Sequence, residues 1–282
     1  AFSQDYRPFE IILSDDCSFD GTFEAMKELA KTYSGTAQVI LRQNERNLGL
    51  SAHFNKVMEI ATGELIVVAA GDDVSRLGRV RALVNAYQAT GADLLHSNVC
   101  CIGLDGARVI SPFGTKVKPL LWSGSVTRRQ ASTSLSMYIG ATGAFSRRLI
   151  YTFGPISCSH AYEDLVMGYR ALLSGRVYFV DKALVDYRVG SGLSWDVGMA
   201  KTNAEISSLA QRLLDTQTAP IEDSEKMSLT KSIAMAILCS ACTGSLIYYF
   251  TSKSLKTGYQ TCIHKSLLRL QRGIRAILLR IA

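Results

Sequence analysis

The chain has 282 residues, 48% of them hydrophobic, which is ample for a packed core in one large domain or two small ones. Its net charge of +7 resides in the last stretch, where Lys253, Lys256, Lys265, Arg269, Arg272, Arg275 and Arg280 occur without an acid; the body is neutral, which argues against a nucleic-acid groove across it. Seven cysteines without regular spacing and four scattered histidines argue against a disulfide framework and a zinc site, the first residues lack the pattern of a signal peptide, and a reducing cytosol is the expected setting.

Residues 10–14 read as a short apolar strand that breaks into the adjacent acids Asp15 and Asp16. Phe23, Met26, Leu29 and Ala30 recur at helical spacing and predict a helix over 21–33. A β-rich stretch at 37–41 and a helix over 50–61 follow. Residues 65–69 form a continuous apolar run, as expected of a strand buried on both faces, and it too ends near paired acids, Asp72 and Asp73. A helix over 76–90 and a strand over 92–97 continue the alternation, which indicates an α/β sheet with crossover helices. Next come a hairpin within 100–110 that turns at 104–106, a helix over 127–137, a glycine-rich strand or loop at 138–145 and a helix over 162–173. Strands at 177–180 and 183–188 end the body. From 197 onward the pattern is mostly helical, and Cys239 and Cys242 read as buried helix packing.

In open sheets of this kind ligands sit outside the carboxyl ends of the strands, where both acid pairs fall. Each pair also reads as a turn with a helix cap. Two pairs on separate strands make coincidence less economical. Carboxylates brought together repel unless a cation lies between them, and Mg²⁺ is usually held by one or two carboxylates plus phosphate oxygens. Glu163–Asp164 alone reads as an acidic first turn, favoured at a helix N-terminus.

EIILSDDCSFDGT, NERNLGLSAHFNKVMEIATGELIVVAAGDD, YEDLVMGYRALLSG and DYRVGSGLS, in that order, resemble the successive motifs of the family 2 inverting glycosyltransferases with the GT-A fold. The resemblance runs from residue 1 to about 195. It implies a GT-A catalytic domain over 1–195, Rossmann-like with a mixed, mostly parallel sheet, and a helical region over 196–282. It implies nucleotide-sugar contacts from Asp15, Asp16, Asn47 and Asp72, with Asp16 at the nucleobase and Asp72 at the ribose; Arg188, whose fork matches phosphate oxygens, reads either as a diphosphate contact or as an ordinary surface cation. Asp73 would bind Mg²⁺ or Mn²⁺ on the sugar-diphosphate, and Asp164 would deprotonate the acceptor hydroxyl. The expected partners are a nucleotide-sugar donor and a glycan or lipid-linked acceptor of bacterial surface polysaccharide synthesis. Two departures stand out. The chain opens at what resembles the end of the family's first helix, without the strand before it. Many relatives also carry His two residues after the Tyr–Arg pair, where this chain has Gly190.

Residues 233–250 contain no charge, the minimum length for a spanning helix, but Ser240, Thr243, Gly244 and Ser245 dilute the run. One crossing would also separate the basic tail from the body, so a buried or interfacial helix is expected. Ile263, Leu267, Leu270, Ile274, Ile277, Leu278 and Ile281 then recur at helical spacing opposite the basic residues, and predict a helix lying on anionic membrane at the inner face. The rival readings are a nucleotidyltransferase on a similar sheet, which needs a basic glycine-rich phosphate loop not found here, and a non-catalytic nucleotide- or carbohydrate-binding membrane-associated protein.

Overall fold

The structure, a computed structural model, describes residues 1–110, 119–122, 125–190 and 199–252, with side chains left out at 122, 199–200 and from 241 onward. The first half alternates β1 (Glu10–Asp15), α1 (Thr22–Lys31), β2 (Gln38–Gln43), α2 (Leu50–Ile60), β3 (Leu65–Val67), β4 (Val74–Ser75), α3 (Arg79–Thr90) and β5 (Leu94–Ile102). Gly49 precedes α2 with φ 78, a conformation that strains any residue with a Cβ. The second half contains α4 (Arg128–Thr133), β6 (Ala144–Ser146), α5 (Arg147–Phe153), α6 (Glu163–Ser174), β7 (Val177–Arg188), α7 (Met199–Thr218) and α8 (Asp223–Ser252).

β1 and β2 pair in parallel, Glu10 opposite Gln38 through Asp15 opposite Gln43. The other strands form one mixed sheet in the order β3-β6-β5-β7-β4, with β5 and β7 parallel and the remaining neighbours antiparallel. The register of β5 on β7 shifts at Ser97, Asn98 and Val99, which lets 177–180 and 183–188 run as one strand rather than the two expected. The core fills the space between this sheet and the helices. Leu94, Phe145, Leu165, Val166 and Met167 share it with Leu209 and Leu213 of α7 and Leu229, Ile233 and Ile237 of α8. It is continuous across residue 195.

The expected helix over 76–90 starts at Arg79, because Val74 and Ser75 join β7 and Arg76 N–H donates to Leu184 O. The expected helix over 127–137 ends at Thr133. Beyond it Leu120 and Leu121 N–H bond Ser136 and Met137 O, which holds the chain extended. A 3-10 turn, Gly140–Thr142, precedes β6. Cys239 is exposed on α8 rather than packed, while Ile233 and Ile237 supply the buried face. Among the described residues no helix is long and apolar enough to cross a membrane. The basic amphipathic stretch after 252 and the end of the DYRVGSGLS stretch from 191 on lie outside the described residues.

Candidate functional site

β1 delivers Asp15 and Asp16 to the same turn, and the two do different work. Asp15 is buried; its Oδ2 accepts from Ser18 N–H at 3.0 Å and from Gln43 Nε2 at 2.9 Å. Burial pushes its pKa up, but those hydrogen bonds outweigh it and the carboxyl ends below its ordinary value. Asp15 thus ties the end of β1 to the end of β2. Asp16 faces the loop before α2. Its Oδ1 accepts from Asn44 Nδ2 at 2.6 Å and Leu48 N–H at 2.9 Å, and its Oδ2 from Gly49 N–H at 2.9 Å. Asn47 Oδ1 accepts from the same Gly49 N–H at 3.1 Å. Asn44 also meets His53 Nδ1 at 2.9 Å. Asn44 and His53 were not picked out in the sequence; the NER stretch beside Asn47 was the only signal. An open recess of about 330 Å³ adjoins this loop, lined by Arg42, Asn44, Glu45, Arg46 and Lys56 among others.

The second acid pair follows β3. Asp73 Oδ1 accepts from Arg188 N–H at 2.7 Å. Burial raises the Asp73 pKa, the Arg188 bond lowers it, and the neighbouring Asp72 raises it again, for a net rise. Arg188 donates from Nε to Asp72 O at 2.9 Å and from Nη1 to Gly103 O at 2.9 Å and Leu104 O at 3.1 Å. Its fork therefore fastens the acidic turn to the hairpin after β5. A half-buried carboxylate disfavoured by burial and by an adjacent acid fits a divalent cation, which would relieve both penalties. Asp73 would be the protein ligand, with substrate phosphates completing the shell. No group of three metal-binding side chains occurs among the described residues.

The third acidic pair opens α6. Glu163 and Asp164 are half-buried, and protein surrounds the carboxyls on most sides. Burial, then the charge of Asp164, pushes Glu163 up to about 8. Burial pushes Asp164 up to about 6 against the Leu165 N–H, which bonds its Oδ1 at 2.7 Å, and against the positive charge of Arg212. At neutral pH one member is a neutral acid and the other a carboxylate. The pair rests on Gly140, where an added Cβ would lie 3.0 Å from Glu163 Oε1 and 3.4 Å from Asp164 Cβ.

Contacts join the three acidic centres. Gly49, held by Asp16, opens α2, and Ser51 in the first turn of α2 donates to Ala161 O at 2.7 Å, two residues before Glu163. On the other side Arg79, almost fully buried, donates from Nη2 to Val68 O and to Ala141 O, both at 2.7 Å, and from Nη1 to Ser75 Oγ at 2.8 Å. Ala141 neighbours Gly140 under the Glu163–Asp164 pair, and the Asp73 charge acts on Arg79. Burial pulls the Arg79 pKa down to about 10. Arg79 was missed in the sequence because a charge among helix residues reads as surface. Asp16, Asp73 and Asp164 are thus linked through the contacts of Gly49, Ser51, Ala161, Gly140, Ala141 and Arg79.

The profile described as Glycosyl transferase family 2 matches residues 1–153. EpsE of Bacillus subtilis, which carries the name of a glycosyltransferase, is 37% identical over 114 residues, covering 38% of this chain and 40% of that protein. The cholesterol galactosyltransferase of Borreliella burgdorferi is 34% identical over 97 residues, covering 34% of this chain and 26% of that protein. The matches therefore span less than half the length of these curated relatives. Among solved structures, S. aureus TarS 1-349 in complex with UDP-GlcNAc superposes with a TM-score of 0.59 at 19% identity, covering 92% of this chain and 71% of that one. The mannosyltransferase PcManGT of Pyrobaculum calidifontis, in complex with GDP-Man and Mn²⁺, gives 0.56 at 16% identity, covering 98% and 76%. These two likenesses establish the α/β GT-A fold.

Proposed function

This chain belongs to glycosyl transferase family 2, and from that premise we propose that it is a glycosyltransferase that inverts the anomeric carbon of a nucleotide-diphosphate sugar with Asp164 as base. The observation that carries the reading is the split Glu163–Asp164 pair, joined through Gly140, Ala141 and Arg79 to the Asp72–Asp73 turn. Inversion needs a base on the acceptor side and stabilisation of the departing diphosphate on the other. Asp164 takes the proton from the acceptor hydroxyl. Asp16 and the Asn47 loop would orient the nucleobase, Asp72 the ribose, and Asp73 would hold Mg²⁺ or Mn²⁺, which supplies Lewis-acid stabilisation of the leaving group when bound. PcManGT, whose structure is named with GDP-Man and Mn²⁺, supports the cation. Arg188 keeps the Asp72–Asp73 turn in place and faces the diphosphate side.

The acceptor in this reading is a glycan or lipid-linked glycan of bacterial surface polysaccharide synthesis, met at the inner face of the membrane. The seven cations from Lys253 to Arg280 support attachment to anionic lipid. A thermal-shift screen against UDP-, GDP- and dTDP-sugars with and without Mn²⁺ identifies the donor. Asp164→Asn is then expected to leave the donor-induced shift intact and lower transfer at least ~100-fold. Unchanged turnover would remove Asp164 from the role of base.

A further inference from the structure

Arg212 lies in the middle of α7, outside the stretch that carries the family match, and its side chain is completely buried. Its Nη1 donates to the carbonyls of Ala131 at 2.9 Å, Ser132 at 3.3 Å and Ser134 at 2.7 Å. These are carbonyls at the C-terminal end of α4, where a helix leaves acceptors without intrahelical partners. Its Nε donates to Leu165 O at 3.3 Å, in the first turn of α6. The same residue, Leu165, donates its N–H to Asp164 Oδ1. One residue of α6 is thus gripped by the carboxylate from its amide end and by the guanidinium from its carbonyl end. The remaining amino group, Nη2, is buried without a hydrogen-bond partner.

A buried cation with an unspent donor is costly unless an anion stands near it. The charged and titratable groups acting on Arg212 are Asp164 and Asp215, together with Tyr169, whose ring centroid lies 5.7 Å from its guanidinium carbon. Asp215 is already committed to Arg170, with Nε to Oδ2 at 2.9 Å and Nη2 to Oδ1 at 3.0 Å. Tyr169 gives its hydroxyl to a bond with Thr216 Oγ1 at 2.8 Å. Asp164 is the acid whose charge is left to balance Arg212. Glu163 and Tyr138 are the other titratable groups beside Asp164, and neither brings a positive charge.

We propose that Arg212 is the positioning residue of the acceptor-side base: from α7 it fixes the first turn of α6 and holds the Asp164 carboxylate ionised. The proposal rests on the reading of Asp164 as base for its catalytic meaning, but the link between Arg212 and Asp164 is testable without turnover. In protein labelled with ¹³C at the aspartate carboxyls, the resonance lost in Asp164→Asn reports the titration of Asp164. Arg212→Gln and Arg212→Met are each expected to move its midpoint up by ~1 pH unit or more, a tenfold weaker acid. A midpoint unchanged in a folded variant overturns the proposal. A second measurement needs no change at Arg212. In the wild-type chain the Arg212 ¹⁵Nε resonance should titrate with the Asp164 midpoint and become pH-invariant in Asp164→Asn. An Arg212 signal that ignores pH in the wild type overturns the proposal even if neither Arg212 variant folds. Should both NMR results hold while Asp164→Asn retains transfer, the coupling stands and the assignment of the base falls.

Discussion

Glu163→Gln should stabilise the protein, and by an amount that grows with pH. The native structure holds Glu163 largely as a neutral acid by burying it beside Asp164, raising its pKa from 4.5 to about 8. The unfolded chain ionises near 4.5 and so binds fewer protons through the interval between the two values. Stability contributed by a carboxyl with a raised folded pKa is lost as pH rises across that interval. Each pH unit is worth roughly 1.4 kcal/mol, so the penalty is on the order of 1 kcal/mol at pH 5 and on the order of 3 kcal/mol at pH 7. It levels off above about pH 8, where the native carboxyl ionises as well. Glutamine is neutral in both states and keeps the shape, so the variant escapes the penalty. Urea denaturation of both proteins at pH 5, 7 and 8.5, with m compared at each pH, measures the difference. A gain equal at all three pH values, or a loss at pH 7, would refute the reasoning, because neither outcome is compatible with a proton held at Glu163 by the fold.

Other outcomes follow from the same framework. Because burial pushes Asp164 up to about 6, the acid limb of kcat/KM should bend near pH 6 and fall about tenfold per unit below it, as read from a pH–rate profile on the identified donor. Arg79→Met should cost on the order of 3 kcal/mol in urea denaturation. It orphans the Val68 and Ala141 carbonyls, each at roughly 1–3 kcal/mol, while removing one buried charge. A fragment ending at residue 195 should fail to fold cooperatively. It would lose Leu209, Leu213, Ile233 and Ile237 from the core and leave Arg170 buried without Asp215; dispersed amide resonances from the fragment would contradict this.

The alternation of apolar runs with 3.6-residue periods placed β1, α1, β2, α2 and β3 within a residue or two of their observed bounds, because local pattern dominates there. Pattern failed where long-range pairing decides. Val74–Ser75 is two residues long and exists as a strand only because β7 runs beside it. α5 was missed because Arg147 and Arg148 obscure its short apolar face. The position of Asp15–Asp16 at the end of β1 was legible because an apolar run breaks there into adjacent acids. What lies beneath them was not. Arg79, Arg212 and Asn44 are polar residues inside the fold, and nothing in a helical or extended pattern separates a buried cation from a solvated one.

Arg79, Arg170 and Arg212 lead the fully buried side chains in size, an uneconomical choice for a core unless irregular backbone requires it. Each guanidinium donates to backbone carbonyls at a turn or an element end: Val68 and Ala141 for Arg79, Gly154 for Arg170, and the 131–134 corner for Arg212. A planar fork of five donors suits such corners better than any apolar side chain. Each buried cation then needs an anion nearby, and the acids acting on them include Asp73, Asp215 and Asp164. Two of these three are proposed to act on substrate. The acceptor and donor acids are thereby also counterions of the core, so neutralising Asp164 leaves Arg212 less balanced. Glu163 has no such cation among the groups acting on it. Glu163→Gln therefore relieves the fold more than Asp164→Asn, although the two carboxyls are adjacent in sequence.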